Sequence, residues 1–176
     1  MIEKVNIENY AELIQKELKT GILLNTNGDK FDSMVIGWGH LGILWSRPTF
    51  VVYVRESRYT KSQLDRTGEF TVSVPLSGPI PEFTRILGTL SGRDIDKVKE
   101  AGLTLCEPQM NSTPGIAEYP LTIECKVLYS QKEELALIPE DIRNRFYPEN
   151  GEPSDSSCDP HTMYVGEIVS TYLIKN

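Results

Sequence analysis

The chain contains 176 residues, of which 24% are charged, and its formal net charge is −7. This length predicts a single domain over residues 1–176, and the acidic balance argues against a nucleic-acid partner, since nucleic-acid affinity depends on clustered Lys and Arg. No apolar run approaches the ~20 residues of a membrane span and no signal-peptide core opens the sequence, which predicts a soluble, cytoplasmic protein without a membrane partner.

The first part of the chain predicts one short helix followed by strands. Residues 8–18 carry apolar side chains at helical spacing, which predicts an amphipathic helix. Residues 22–25 are apolar and precede a polar turn, so we expect a hairpin whose second strand begins at Phe31. Residues 49–54 are almost wholly β-branched or aromatic, which indicates a strand buried on both faces. Residues 70–74 alternate apolar and hydroxyl side chains, which predicts a half-exposed strand.

Short helices and further strands follow. Thr60 is placed to N-cap a helix over residues 61–66 that ends near Gly68. Residues 79–90 predict a second helix, and residues 94–101 predict a third that is capped by its first residue, an aspartate. Three more strands are predicted, over residues 103–106, 121–129 and 163–174.

The order of these elements predicts a mainly β fold with a few short helices. Strands without regular helical crossovers favour an antiparallel barrel or sandwich over a doubly wound parallel sheet. Residues 137–160 are rich in Pro, Asp, Glu and Ser, which predicts an irregular excursion too polar for the core. A connection of this length usually covers a site or a partner.

Residues 32–61 combine the features of a surface for a planar ring with those of a phosphate site. Gly37 and Gly39 flank Trp38, and glycine lets a ligand or a second chain approach the backbone closely. Residues 55–61 then hold three cations and three hydroxyl side chains, a composition that suits a phosphate. Such a cluster is often a solvated turn, but a helix that starts beside it adds free amides and favours the phosphate. A ring surface next to a phosphate site suggests a mononucleotide, and among mononucleotides a flavin.

Four motifs in order make the chain resemble the flavin reductase-like, FMN-binding split-barrel family, and flavoredoxin-like members in particular. They are DSMVIGWG at residues 32–39, RxSRYT at 55–60, SGRDxDK at 91–97 and GEI at 166–168. No GxGxxG follows a strand and no P-loop is present, so a phosphate site here needs a different architecture. The resemblance spans roughly residues 21–170 and implies an antiparallel Greek-key split β-barrel, a homodimer, and one FMN per subunit near the dimer interface.

The same resemblance implies the residues that hold FMN. Residues 32–38 would follow the flavin ring and ribityl chain, largely through backbone groups, and the two later motifs would hold the phosphate end. The implied cofactor-binding residues are Asp32, Ser33, Met34, Val35, Ile36, Gly37, Trp38, Arg55, Ser57, Arg58, Tyr59, Thr60, Ser91, Gly92 and Lys97. For Lys97, a solvated helix position is an equal alternative.

Two positions depart from the pattern of the family. Asp32 stands where relatives often carry Asn, and an ionised Asp cannot donate a hydrogen bond as an amide does. Val35 stands where relatives often carry Thr, so a side-chain hydrogen bond to the ring is lost there. Both changes are expected to alter the redox potential or the ring affinity without abolishing binding.

His161 is the candidate catalytic residue, because relatives often carry a histidine near the flavin just before the last strand. It could donate to a flavin carbonyl or assist proton transfer, and a surface histidine is the alternative. Cys158 and His161 do not make a metal site, since two further ligands are missing, and the three cysteines show no CxxC. Trp45 is expected in the core rather than beside the flavin.

The sequence therefore predicts an FMN-binding flavoprotein and leaves its reaction open. The first interpretation is an NAD(P)H-linked flavin reductase-like oxidoreductase. The second is a flavoredoxin-like electron carrier that keeps FMN bound and serves protein redox partners. A barrel that binds haem or another flavin, or a dimeric scaffold, is the third.

Overall fold

The structure is a computed structural model, and it describes residues 1–148 and 158–175. The strands in this part of the chain are β1 (Ile2–Lys4), β2 (Ile22–Asn27), β3 (Phe31–Ile36), β4 (Gly39–Leu44), β5 (Arg47–Arg55), β6 (Glu69–Val74), β7 (Leu105–Cys106), β8 (Gly115–Ile116), β9 (Leu121–Lys132) and β10 (His161–Ile174). The α-helices are α1 (Ala11–Leu18), α2 (Tyr59–Thr67), α3 (Pro81–Thr89), α4 (Lys97–Ala101) and α5 (Glu140–Phe146). Short 3-10 turns occupy Ile7–Tyr10 and Leu135–Leu137.

One antiparallel sheet organises the molecule. Its strands follow the order β3-β2-β6-β9-β10-β5-β4, with β1 added alongside β10. The hairpin of β2 and β3 lies at one end of this order and the hairpin of β4 and β5 lies at the other, so β3 and β4, which follow one another in sequence, lie at opposite ends of the sheet. This arrangement confirms the predicted mainly β, antiparallel split-barrel class.

Two hydrophobic clusters stabilise the sheet. The larger joins strand residues such as Phe50 and Phe70 to Ile14 and Leu18 of α1, which confirms that the amphipathic face of this helix is buried. The second cluster packs α3 against the other side of β2, through contacts that include Leu23 and Phe83. α3 is thereby fixed beside β3, which carries the first of the predicted site motifs.

Strand β6 is buried on both faces, so the prediction that it is half-exposed was wrong. Its two hydroxyl side chains turn inwards because each has a buried partner there. Thr71 Oγ1 donates to the carbonyl oxygen of Thr113 (2.8 Å), and Ser73 Oγ accepts from Asn25 Nδ2 (2.9 Å). The polar residues that alternate with apolar ones in this strand are therefore hydrogen-bonded in the interior and do not form a face exposed to solvent.

The helix starts differ from the sequence prediction. α2 begins at Tyr59 and has Arg58 at its N-cap, so Thr60 lies inside the first turn and does not cap the helix. α4 begins at Lys97, and Asp96 caps it by accepting from the Lys99 amide, so Asp94 is not the cap. In both helices the Gly that follows the last turn adopts the left-handed conformation expected of a C-terminal glycine.

The expected irregular excursion over residues 137–160 contains a helix, α5, so this prediction was wrong in its described part. Residues 149–157 of that excursion lie outside the described residues. The segment is also not uniformly polar, because Tyr147 is buried directly after α5.

Strand β4 and its turn were missed by the sequence analysis. The turn to β5 is made by Trp45 and Ser46, whose φ angles of 50° and 59° are both left-handed. Two left-handed residues in succession form the tight turn that suits a two-residue hairpin, although Asn and Gly are the usual residues there. The turn projects apolar surface outward: Trp45 is 60% exposed and Ile43 is 73% exposed, so Trp45 is not the core residue that was expected.

None of the helices in the described ranges is both long and apolar enough to cross a bilayer.

Candidate functional site

Two adjoining cavities bring most of the predicted site residues together. The first, here the cationic cavity, has a volume of about 320 Å³ and is bounded by the start of β3, the first turn of α2 and the segment after α3. Its lining is Asp32, Met34, Ser57, Arg58, Tyr59, Thr60, Leu87, Thr89, Leu90, Ser91, Gly92, Arg93, Asp94 and Lys97. The second, here the aromatic cavity, has a volume of about 180 Å³ and is lined by Met34, Val35, Ile36, Gly37, Trp38, Tyr53, Arg55, Arg58 and His161. Met34 and Arg58 line both cavities, so the two form one continuous surface.

Ser33 is the predicted cofactor residue that lines neither cavity. Its hydroxyl donates to Asn25 Oδ1 (2.8 Å) in the interior, because alternate side chains of a strand face opposite sides of the sheet. Only its carbonyl oxygen turns towards the site, where it accepts a hydrogen bond from Lys97 Nζ (2.7 Å).

A buried ion pair forms the floor of the cationic cavity. Lys97 Nζ lies 3.2 Å from Asp32 Oδ1, and the two side chains are only 4% and 1% exposed. The other carboxylate oxygen of Asp32 accepts from the Thr60 hydroxyl (2.6 Å), which explains why Thr60 does not cap α2. Lys97 is therefore buried in the lining of the cationic cavity and is not the solvated helix residue of the alternative interpretation.

Burial dominates the electrostatics of Lys97. Loss of solvent lowers the pKa of its ammonium group, and Arg58 and Lys30 act in the same direction. The carboxylate of Asp32 opposes this shift by its charge and by hydrogen bonding. Asp32 therefore supplies the counter-charge that Lys97 needs inside the fold.

A second group of cations surrounds the ring of Tyr59. The Lys30 ammonium lies 5.8 Å and the Arg93 guanidinium 5.5 Å from the ring centroid. Arg93 Nη1 also donates to the carbonyl oxygen of Ser57 (2.9 Å), which joins the turn after α3 to the start of α2. Gly92 is needed in this turn, because an added Cβ would lie 2.2 Å from Asp32 Oδ1 and 2.7 Å from a carbon of the Tyr59 ring.

The two arginines of the RxSRYT motif have different surroundings. Arg58 lies between the cavities, and its buried Nε has no hydrogen-bond partner among the described residues. Arg55 lines only the aromatic cavity and is engaged elsewhere: Nη1 donates to the carbonyl oxygen of Asp159 (2.6 Å) and Nη2 to that of Phe146 (3.4 Å). Of the two, Arg58 is the guanidinium that can bind an anionic ligand.

Aromatic side chains and one histidine form the wall of the second cavity. The Trp38 ring lies 4.7 Å from the His161 ring, centroid to centroid, and meets Phe146 edge-on at 5.2 Å. His161 is buried, with Nδ1 2.8 Å from the Tyr147 hydroxyl, so the alternative of a surface histidine is wrong. Burial, followed by the charge of Arg55, lowers the pKa of His161 to about 4, and the ring is neutral at neutral pH.

The described residues contain no group of three or more His, Cys, Asp or Glu side chains arranged to hold a metal ion. The site has instead the donor set of an anion site, with cationic side chains at one end and flat apolar groups at the other. Such a surface suits a molecule that is anionic at one end and planar at the other.

The sequence profile of the family described as "Flavin reductase like domain" matches residues 18–176. The chain belongs to this family. A protein from Archaeoglobus fulgidus described as uncharacterized is 32% identical over 118 residues, which cover 67% of this chain. The chain spans about half of the length of that relative, with 52% covered.

Solved structures of similar fold fit this family membership. An FMN-binding domain of a flavin reductase-like enzyme from Shewanella baltica has a TM-score of 0.66 at 16% identity, over 98% of this chain and 77% of that one. Flavoredoxin from Methanosarcina acetivorans has a TM-score of 0.64 at 24% identity, over 89% and 69% respectively. An NADH:FAD oxidoreductase from Streptomyces globisporus has a TM-score of 0.62 at 16% identity, over 98% and 87%. At these identities the similarity establishes the split-barrel fold.

Several residues of this candidate site were not identified from the sequence, among them Tyr53, Arg93, Glu133 and Tyr147. Arg93 stands inside the SGRDxDK motif, so its cation was a signal that could have been used. The other three come from strand and loop positions that reach the site only through the fold, and no local pattern marks them.

Proposed function

We propose that this flavin reductase-like protein binds FMN across the two cavities and acts as an NAD(P)H-linked oxidoreductase. The observation that carries the proposal is the position of Arg58, whose guanidinium lies where the cationic and aromatic cavities meet and has a buried Nε without a partner among the described residues. Family membership supports the same conclusion, and so do the similar structures, which include an FMN-binding domain and an NADH:FAD oxidoreductase.

The residues present fit the parts of FMN. In the cationic cavity, Arg58 and Arg93 would bind the phosphate by charge-assisted hydrogen bonds, together with the amides of the turn at Ser91 and Gly92. In the aromatic cavity, the backbone of residues 35–37 offers donors and acceptors to the ring edge, and Trp38 would cover one part of the ring. FMN would supply the redox chemistry, while the chain supplies orientation and electrostatics.

An electron carrier is the second candidate function. The similarity to flavoredoxin supports it, and it differs from the first candidate only in how the cofactor is reduced. In this case protein redox partners would exchange electrons with bound FMN, and NAD(P)H would not react.

Binding is tested by titrating FMN into the wild-type protein and into two arginine variants, one at the N-cap of α2 and one within α2. Arg58→Ala is expected to weaken FMN binding about tenfold or more, because a charge-assisted hydrogen bond contributes roughly 1.5–3 kcal/mol. Arg66→Ala is the matched control, since Arg66 lies on the helix that follows Arg58 but pairs with Asp29 at the surface. Equal affinities for wild type and Arg58→Ala would refute the phosphate assignment.

Anaerobic mixing with NADH or NADPH separates the two candidate functions. Rapid bleaching of the flavin absorbance by either nucleotide supports the reductase. Reduction by dithionite or a protein donor, without reduction by NAD(P)H, supports the carrier. A purified protein that neither contains FMN nor binds it would contradict both.

We also propose that two copies of the chain form a homodimer through the surface around the β4–β5 turn. Ile43, Leu44 and Trp45 are exposed there, and Trp45 meets the exposed Tyr129 edge-on at 6.4 Å. A contiguous apolar surface of this kind typically marks an interface. Light scattering tests the proposal: the wild type is expected at twice the chain mass, and Ile43→Glu is expected to shift the mass towards one chain. A wild-type mass of one chain with FMN bound would refute it.

A further inference from the structure

Glu133 and Tyr147 connect His161 to the end of β9 by a chain of hydrogen bonds. Glu133 Oε2 accepts from the backbone amide of His161 (3.1 Å) and from the Tyr147 hydroxyl (2.7 Å). The same hydroxyl oxygen lies 2.8 Å from His161 Nδ1. The backbone fixes this arrangement, because the Glu133 amide donates to the carbonyl oxygen of His161 (2.9 Å).

Proton counting assigns the direction of each hydrogen bond. The Tyr147 hydroxyl has one proton, and the carboxylate of Glu133 can only accept, so this proton lies between Tyr147 and Glu133. The contact with His161 must then have Nδ1–H as the donor and the Tyr147 oxygen as the acceptor. In a neutral ring with its proton on Nδ1, Nε2 carries a lone pair.

The surroundings keep the ring neutral. The charged and titratable groups that face it are Arg55, Glu133, Tyr147 and Asp159, and burial outweighs the two carboxylates in lowering the pKa of His161. Burial, followed by hydrogen bonding to Glu133, raises the pKa of Tyr147, so its hydroxyl keeps the proton that the assignment requires.

We propose that Glu133 and Tyr147 hold His161 in the Nδ1–H tautomer, so that Nε2 is a hydrogen-bond acceptor at the wall of the aromatic cavity. His161 then selects the edge of a bound ring that carries an N–H donor and disfavours an edge that presents only carbonyl oxygens. This reverses the sequence-based interpretation in which His161 donates to a flavin carbonyl. Glu133 and Tyr147 are positioning residues that act through His161.

The part of this proposal that concerns the ligand rests on the proposed function. If the ligand is a flavin, its pyrimidine edge carries the N–H group that would donate a hydrogen bond to Nε2. The tautomer itself does not depend on any ligand. The two parts can therefore be tested separately.

Long-range ¹H–¹⁵N NMR of the ligand-free protein at neutral pH reads the tautomer directly. The chain has two histidines, so the exposed His40 is an internal reference in every spectrum. The wild type is expected to show a protonated Nδ1 and an unprotonated Nε2 for His161. A protonated Nε2 in the folded wild type would overturn the proposal.

Two substitutions at one position provide the matched comparison. Glu133→Gln keeps an oxygen that can accept from Tyr147, and it is expected to retain the Nδ1–H form. Glu133→Leu removes the acceptor, which frees the Tyr147 hydroxyl to donate to Nδ1, and it is expected to move the proton of His161 to Nε2. A wild-type tautomer that survives in folded Glu133→Leu would refute the role of this chain of hydrogen bonds.

Titration of FMN into the labelled wild type tests the acceptor role. The Nε2 resonance of His161 is expected to shift on binding, whereas the resonances of His40 stay in place. Binding of FMN without a shift of Nε2 would refute the acceptor role. Failure of FMN to bind would refute the proposed function, and the ligand-free spectra would still decide whether the tautomer is correct.

Discussion

The buried pair of Asp32 and Lys97 predicts strong energetic coupling between two residues that are far apart in sequence. Asp32→Asn removes the counter-charge and leaves only a neutral amide oxygen to accept from the Lys97 ammonium, which lies 3.2 Å from Oδ1 in the wild type. Lys97→Met keeps most of the side-chain volume but leaves the Asp32 carboxylate 1% exposed without its cation. Breaking a buried pair from one side costs about 3–5 kcal/mol. We expect each single variant to lose about 3 kcal/mol, the lower end of that range, because Thr60 and the Ser33 carbonyl remain as partners.

The double variant should lose little more than either single variant, since it leaves no isolated charge in the interior. A coupling free energy of about 2–3 kcal/mol is therefore expected from urea unfolding of the wild type, both single variants and the double variant. The control pair is Arg66→Ala and Asp29→Ala, a surface ion pair whose coupling should stay below about 1 kcal/mol. Additive losses at Asp32 and Lys97, within about 0.5 kcal/mol, would refute the claim that these two charges stabilise each other.

Two further predictions concern His161 and Gly92. The pKa of His161 is about 4 in the folded protein, whereas an ordinary histidine has a pKa of 6.5. Between these two pH values the unfolded chain binds a proton that the folded chain does not. The free energy of unfolding therefore falls as the pH drops from 6.5 to 4, by at most about 3 kcal/mol. Urea unfolding between pH 7 and pH 4.5 should show a weaker pH dependence for His161→Gln than for the wild type or for His40→Gln, and identical slopes would contradict the burial argument. Gly92→Ala should lower the unfolding free energy by about 1–3 kcal/mol, because its Cβ has no room beside the Asp32 carboxylate. Gly42→Ala, where a Cβ meets nothing within 4 Å, should change it by less than about 0.5 kcal/mol, and a similar loss in both variants would count against the packing explanation.

The sequence allowed the fold class to be predicted because hydrophobic periodicity is strong in the strands that form the core. Strand β5 is the clearest example, since its run of β-branched and aromatic residues is buried as expected. The hairpin of β2 and β3 was also predicted, because an apolar strand leads into a polar turn. Strand β4 was missed for the opposite reason: it contains Gly39 and Gly42, and its turn has Trp45 and Ser46 where Asn and Gly would have been recognised.

The errors at helix starts have a common cause. Thr60 and Asp94 are both residue types that favour N-caps, and the sequence alone cannot say whether such a side chain has a better partner elsewhere. The Thr60 hydroxyl donates to Asp32, 28 residues earlier, and this long-range contact outweighs a local cap. For α4, Asp96 takes the role two residues further on.

The candidate site was predicted where its residues form local motifs and missed where the fold alone assembles it. The motifs around Asp32, Arg58 and Gly92 meet at the cationic cavity, as the resemblance implied. Glu133 and Tyr147 reach the aromatic cavity from the end of β9 and from the segment after α5, and neither stands in a recognisable pattern. Residues of this kind can be identified only once the structure shows their hydrogen-bond partners.

The cationic cavity is built from contacts that span the sequence: Asp32 meets Thr60, Lys97 meets the carbonyl of Ser33 across 64 positions, and Gly92 packs against Asp32. This surface does not exist in the unfolded chain, so a ligand of the cavity binds the native state alone and raises its free energy of unfolding by mass action. At a free ligand concentration of 100 times Kd the gain is about 2.7 kcal/mol, which corresponds to a rise in Tm of roughly 5–11 °C for a chain of this size. The melting temperature therefore indicates whether the cationic cavity has a ligand bound. Flavins, nucleotides and simple phosphates can be ranked by the melting temperature they produce, before any electron acceptor is known.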